Sequence, residues 1–179
     1  HRAAEKVRRT YKGASSERAA TALEAPSLFV STGSLVLDRL CAGVVPGGLP
    51  MGPRQGRIVH LAGSWSTGKT LLLDHVFKST QDLGGITLVS ETEGSRDPHF
   101  AAAIGLNLDI LEVQRPETLE EMIDQGLTFH DEIRRAAGGD TLPFVWGLDS
   151  LDSTETSRVF DKGLSQSGAW HYGGGKSEA

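Results

Sequence analysis

Apolar residues change their spacing several times along the chain, and each change marks an element. Leu72, Leu73, Val76 and Phe77 recur at helical spacing within Lys69 to Gln81, and Gly84-Gly85 supplies the left-handed residue that a helix end needs. The runs on either side are different. Arg57 to Ala62 (RIVHLA) and Ile86 to Glu91 (ITLVSE) are short and β-rich, so 57–91 reads as strand, glycine loop, helix, strand. Ahead of them, Ser31-Thr32-Gly33-Ser34 precedes Leu35, Leu37, Leu40 and Cys41, where small hydroxyl residues cap a short helix that the glycine and proline run 43–56 then breaks.

The second half repeats the alternation. Pro98 suits a first helical turn, with Phe100 and Ile104 on one side and Gly105 at the end, and Ile110 to Val113 follows as a short strand. Pro116 to Arg135 carries Leu119, Met122, Ile123, Leu127 and Ile133 and reads as a long amphipathic helix that Gly138-Gly139 stops. PFVWGLDS, Pro143 to Ser150, is an apolar run bounded by turn signals, as expected of a strand buried on both faces. Strand alternating with helix predicts an α/β fold with a mainly parallel sheet and right-handed crossovers. After Ser150 the pattern decays into Ser, Thr, Gly and charge. Only four strands can be placed, so a longer parent protein is expected. Residues 1–27 read as an arm or linker ending at Pro26, and 28–179 as the core.

Composition narrows the function classes. Of the 179 residues 18 are basic and 23 acidic, which argues against binding nucleic acid by bulk charge. The arm differs. Its first 20 residues hold Arg2, Lys6, Arg8, Arg9, Lys12 and Arg18 against Glu5 and Glu17, either a solvated face or a contact for an acidic partner. No apolar stretch approaches the ~20 residues of a membrane-spanning helix, so no membrane association is expected. Cys41 stands alone, which excludes an intrachain disulfide and a four-cysteine zinc site and fits a reducing, cytoplasmic location.

The chemistry concentrates in GSWSTGKT, from Gly63 to Thr70, which matches G-x-x-x-x-G-K-[ST] between an expected strand and helix. The alternative is a plain glycine turn capping the helix. In the phosphate-binding reading, backbone N–H groups of Gly63, Ser64, Trp65, Ser66, Thr67, Gly68 and Leu71 face the phosphates of ATP. Lys69 bridges the β- and γ-phosphates, and the Thr70 hydroxyl ligates Mg²⁺. A second metal carboxylate is needed, and Asp149 closes the buried run FVWGLD where such an acid belongs; an ordinary turn aspartate is the alternative. Glu91 and Glu93 follow another strand end, where either one activates an attacking water or both belong to a solvated loop.

In order and spacing, STGSLVLD (Ser31 to Asp38), GGLPMG (Gly47 to Gly52), RIVHLAGSWSTGKT, ETEGSRDPHFAAAIGLNLD (Glu91 to Asp109) and VWGLDS resemble the ATPase core of the bacterial RecA recombinases across roughly residues 28–150. The resemblance implies a RecA-like fold, ATP and Mg²⁺ as cofactors, and a DNA-dependent ATPase. Such a protein forms a homo-oligomeric filament on single-stranded DNA, then pairs it with double-stranded DNA. By the same resemblance Glu93 polarises the water, Phe100 stacks on adenine with Asp97 nearby, Asp149 is the metal aspartate and Ser150 follows it. Residues 151–179 then hold a DNA-binding loop region, with Arg158, Lys162, Trp170, His171, Tyr172 and Lys176 as candidates, because cations meet phosphates and aromatics stack on bases. A mobile polar loop with its aromatics packed on the protein is the other reading.

Departures mark a divergent member, with a phage origin as one reading. VVP (Val44 to Pro46) and PRQG (Pro53 to Gly56) interrupt the family spacing, Trp65 is bulky for its loop, and Glu91 stands where an aspartate is customary. Two other classes share the core: hexameric helicases or motors, and regulatory ATPases of the circadian-clock KaiC type.

Overall fold

The computed structural model describes residues 28–43, 47–51, 57–94, 96–138 and 142–156. The basic arm and the candidates Arg158, Lys162, Trp170, His171, Tyr172 and Lys176 lie outside the described residues. The chain runs β1 (Leu28–Val30), α1 (Leu35–Ala42), β2 (Leu49–Met51), α2 (Lys69–Asp82), β3 (Ile86–Glu91) and α3 (Pro98–Ala103). It continues through a 3₁₀ turn (Leu108–Ile110), β4 (Leu111–Gln114), α4 (Leu119–Ala137), β5 (Phe144–Asp149) and a second 3₁₀ turn (Leu151–Ser153).

Strands β4, β3 and β5 form a parallel sheet in the order β4-β3-β5, and the register sets Glu91 opposite Asp149. This is the α/β architecture expected, a parallel sheet flanked by helices. From Thr87 to Glu91, β3 is buried on both faces, because it lies between two strands and beneath helices on either side.

The side chains show which helix covers which face. A Cβ added at Gly147 would lie 2.7 Å from Phe77 and 2.9 Å from Leu73, so α2 rests directly on the strand backbone there. Phe77, fully buried, packs with Val89, Ala101, Leu106 and Leu111, a burial worth about 2–3 kcal/mol for a ring of this size. On the other face a Cβ at Gly126 would run into the Trp146 ring, so α4 approaches β5 across a glycine. A mid-helix glycine costs about 1 kcal/mol, and the close approach explains it. The Trp146 indole N–H donates to Ser90 Oγ at 2.9 Å, which keeps the ring's one polar atom satisfied.

Several expectations need correction. The run 57–62 forms no strand: Ile58 is fully exposed, and Val59 and Leu61 are exposed beside it. A strand needs a neighbour for its N–H and C=O groups, and no described strand pairs with this run. Within β5 only Gly147 is fully buried, since β3 is its sole described neighbour and the rest of the strand is half open. Strand β4 begins one residue later than expected because Asn107 caps the 3₁₀ turn ahead of it, accepting the Asp109 N–H at 3.0 Å. Helix α4 begins at Leu119 because the Thr118 hydroxyl caps it, accepting the Glu121 N–H at 3.2 Å.

The antiparallel pair β1–β2 was not expected. It joins Leu28 to Met51 and Val30 to Leu49, with Pro50 tolerated because this two-stranded ladder consists of edges. Between the strands the STGS and LD residues close on each other. The Asp38 carboxylate is buried and accepts from Ser31 Oγ (2.6 Å), Thr32 N–H (2.7 Å) and Thr32 Oγ1 (2.6 Å). Burial opposes its charge, but the three donors outweigh burial and hold the carboxyl below its ordinary range.

Candidate functional site

The site lies at the C-terminal ends of β3 and β5, where open parallel sheets place their ligands. Helix α2 begins at Lys69, and its N-cap Gly68 takes a left-handed conformation at φ 87° that a residue with a side chain resists. Gly68 offers no side-chain cap, so the first-turn N–H groups are left for another acceptor. Ser66 also lies in the left-handed region, at φ 56°. The loop 63–68 is exposed throughout, and the Trp65 side chain stands out into solvent at 94% exposure.

Lys69 folds back over this loop. Its Nζ donates to the carbonyls of Gly63 (3.0 Å) and Ser64 (2.9 Å), while Thr67 Oγ1 donates to Ser64 O at 2.8 Å. A Cβ at Gly63 would sit 2.9 Å from Thr67 Oγ1, so a larger residue there would displace the Thr67 hydroxyl from the loop. An ammonium held by two neutral carbonyls is a weak arrangement for a full charge, and phosphate oxygens bind it better.

Helix α2 delivers the next residue to the sheet. Thr70 Oγ1 donates to Asp149 Oδ2 at 3.0 Å, joining residues 79 apart in sequence. Asp149 is on the α2 face of β5, opposite Glu91 in the register. The ends of the two strands are stitched by Thr92, whose N–H donates to Asp149 O at 3.0 Å and whose hydroxyl donates to Ser150 O at 3.0 Å. Ser150 Oγ in turn donates to Glu93 at 2.6 Å. Thr70, Asp149, Ser150 and Glu93 therefore stand in one continuous cluster.

The two glutamates separate. Glu91 is buried and accepts the Arg96 N–H at 3.1 Å, a bond that shapes the loop, while Glu93 is exposed with its carboxylate beside Ser150. Asp97 caps α3, accepting the N–H groups of His99 (2.8 Å) and Phe100 (3.2 Å). Its polar contacts are thus internal to that helix end. Phe100 is 51% exposed, an open ring on the same short helix.

A buried ion pair was missed. Arg96 pairs with Asp74 of α2, and its Nη2 lies 3.4 Å from Asp149 Oδ2. Burial pulls the guanidinium's pKa down and the Asp149 charge pushes it back up; an arginine stays charged throughout. The signal was present, since Asp74 interrupts an apolar helix face and a buried acid requires a partner. The partner, 22 residues away, was not readable.

The oxygens of Thr70 and Asp149 are the hard donors Mg²⁺ takes, and they already meet. Among the described residues no group of three or more His, Cys, Asp or Glu could hold a metal. A magnesium ion held by these two oxygens would take its remaining ligands from phosphate and water.

The fold and the placement of this loop define an α/β protein with a RecA-like core. The sequence model of the RecA N-terminal domain matches residues 3–142, and the chain belongs to that family. It is 38% identical over 95 residues to Protein RecA of Herpetosiphon aurantiacus, covering 53% of this chain and 25% of that protein. It is 39% identical over 113 residues to Protein RecA of Methylobacterium radiotolerans, covering 63% and 28% respectively. With Protein RecA of Cereibacter sphaeroides the identity is 40% over 94 residues, covering 52% and 25%. The chain spans about a quarter of the length of these curated relatives. No helix among the described residues is long and apolar enough to cross a membrane.

Proposed function

We propose that the chain carries the ATP site of a DNA-dependent ATPase, the core of a recombinase. The observation that carries this reading is the Thr70–Asp149 bond at 3.0 Å, which joins the first turn of α2, directly after the glycine-rich loop, to the acid at the end of β5. Lys69 exchanges its two carbonyl partners for the β- and γ-phosphates. Thr70 and Asp149 would hold Mg²⁺, which would supply charge neutralisation for the phosphates. The loop residues Gly63 to Gly68, with Leu71, offer backbone N–H groups at the helix start, where the helix dipole favours an anion.

Glu93 is the base. Its carboxylate is exposed and fixed by Ser150, which suits a group that orients a water and takes its proton, whereas buried Glu91 is already occupied. Phe100 stacks on the adenine, with Asp97 setting the ring's position through the α3 cap. The family relationship supports the remainder: assembly as a homo-oligomeric filament on single-stranded DNA, followed by pairing with double-stranded DNA. The region 151–179 supplies DNA contacts and the arm 1–27 reaches a neighbouring protomer. Location is cytoplasmic.

Electron microscopy of the parent protein with ATP and single-stranded DNA tests the assembly. Helical filaments support the recombinase reading, and closed rings point to a motor or clock-type ATPase. Calorimetric titration of the chain with Mg²⁺·ATP tests the site directly, and absence of binding overturns it.

A further inference from the structure

One buried cation has no part in the reaction as proposed. The Arg96 side chain is 7% exposed and Asp74 only 3%, and the guanidinium stands 5.8 Å over the Phe77 ring, walled in by the core. Its Nε has no hydrogen-bond partner, so charge holds the group more than a full set of hydrogen bonds does. Two acids share this one cation: Asp74 on α2 and Asp149 on β5. Asp149 Oδ2 therefore meets both the Thr70 hydroxyl and a fixed positive charge. A cation this close to a metal's carboxylate repels a divalent ion and competes for the same oxygen.

We propose that Arg96 is a positioning residue that holds Asp149 as its counterion and so raises the Mg²⁺ concentration at which nucleotide binds, with Asp74 setting how firmly it holds. This rests on the nucleotide-binding reading above. Asp74 draws the guanidinium toward α2 and away from the metal site; without it, Asp149 takes the whole charge. Arg96 closes the loop after β3 and directly precedes Asp97, the cap of α3, so the same residue ties metal occupancy to the segment carrying Phe100.

Two variants should shift the Mg²⁺ requirement in opposite directions. In Asp74→Asn the arginine keeps its charge and loses its other acid, so the Mg²⁺ midpoint rises. In Asp74→Leu/Arg96→Leu an apolar pair replaces the ion pair, an exchange that buried pairs often tolerate, and the midpoint falls. Each shift should be about three- to tenfold.

The measurement is fluorescence anisotropy of a mant-labelled, slowly hydrolysed ATP analogue on the full chain during Mg²⁺ titration, with urea unfolding to follow stability. Opposite shifts support the proposal. Midpoints within about twofold of wild type, or shifts in the same direction, overturn it, because a purely structural pair changes stability without reversing sign. If Asp74→Asn does not fold, the double variant decides alone: a lower midpoint supports the proposal, an unchanged or higher one overturns it. A wild-type chain without Mg²⁺-dependent nucleotide binding overturns the nucleotide reading and this inference together. Wild-type binding with unmoved variants removes this inference only.

Discussion

Two short motifs rich in glycine and hydroxyl residues sit at opposite extremes in this molecule. In Ser31 to Asp38 every named polar group has an internal partner, and the acid is buried and held ionised by three donors. In Gly63 to Thr70 the loop is exposed and its lysine rests on two neutral carbonyls. The first motif closes on itself and stabilises the turn between β1 and α1. The second gives the start of α2 no side-chain cap and sets a full charge against neutral carbonyls, the features on which the proposed phosphate site rests. Similar composition thus serves opposite ends, and internal hydrogen-bond satisfaction separates them.

On this division, substitutions in the site should move binding or turnover with little change in stability, and substitutions in the clasp should do the reverse. The largest expected effect is in Glu93→Gln, which should bind Mg²⁺·ATP normally while hydrolysis falls by about 10²- to 10⁴-fold. A phosphate-release assay beside calorimetry checks it; a normal rate would remove Glu93 as the base. Next in size, Lys69→Ala should weaken nucleotide binding by about 100-fold, a loss typical of charge-assisted phosphate contacts, and leave the urea midpoint in place. Unfolding of that variant would show the loop to be part of the scaffold.

Legibility in the sequence follows the same line. Strand β3 and helix α2 were readable because each rests on local periodicity. Thr70 and Asp149 were each picked out by its own motif as a metal-ligand candidate, but the bond between them, across 79 residues, belongs to the fold alone. The β1–β2 pair was not, since each strand has three residues, one of them Pro50, too few to show alternation. RIVHLA had the right composition for a strand, but strand formation depends on a partner that composition does not specify. Arg96 and Asp74 met only through tertiary packing. The role of Asp38 was equally hidden: STGS-x-x-LD marked a family, and the geometry revealed a clasp.

Of intermediate size, Asp38→Ala should destabilise the chain by about 2–4 kcal/mol, because it strands three donors in a buried turn. Nucleotide affinity should remain within about twofold, given that the clasp and the loop share no polar group. A urea titration and a binding isotherm on one sample separate the two. Lost affinity at full stability would place the clasp in the site.

The smallest effect, and the sharpest on mechanism, is the pH dependence of the same clasp. The folded Asp38 carboxyl titrates below its unfolded value, with burial opposing ionisation and the donors from Ser31 and Thr32 prevailing. Its contribution is therefore complete above the unfolded carboxylate range and is lost as pH falls through the folded pKa. Asp38→Asn, which keeps shape and carries no titrating charge, lacks this component at every pH. The stability gap between wild type and Asp38→Asn should hold steady near neutrality and shrink as urea unfolding is repeated from about pH 6 down to about pH 3. A gap that widens on acidification would mean the buried carboxyl is protonated in the folded chain, and the clasp would then be an ordinary neutral hydrogen-bonded turn.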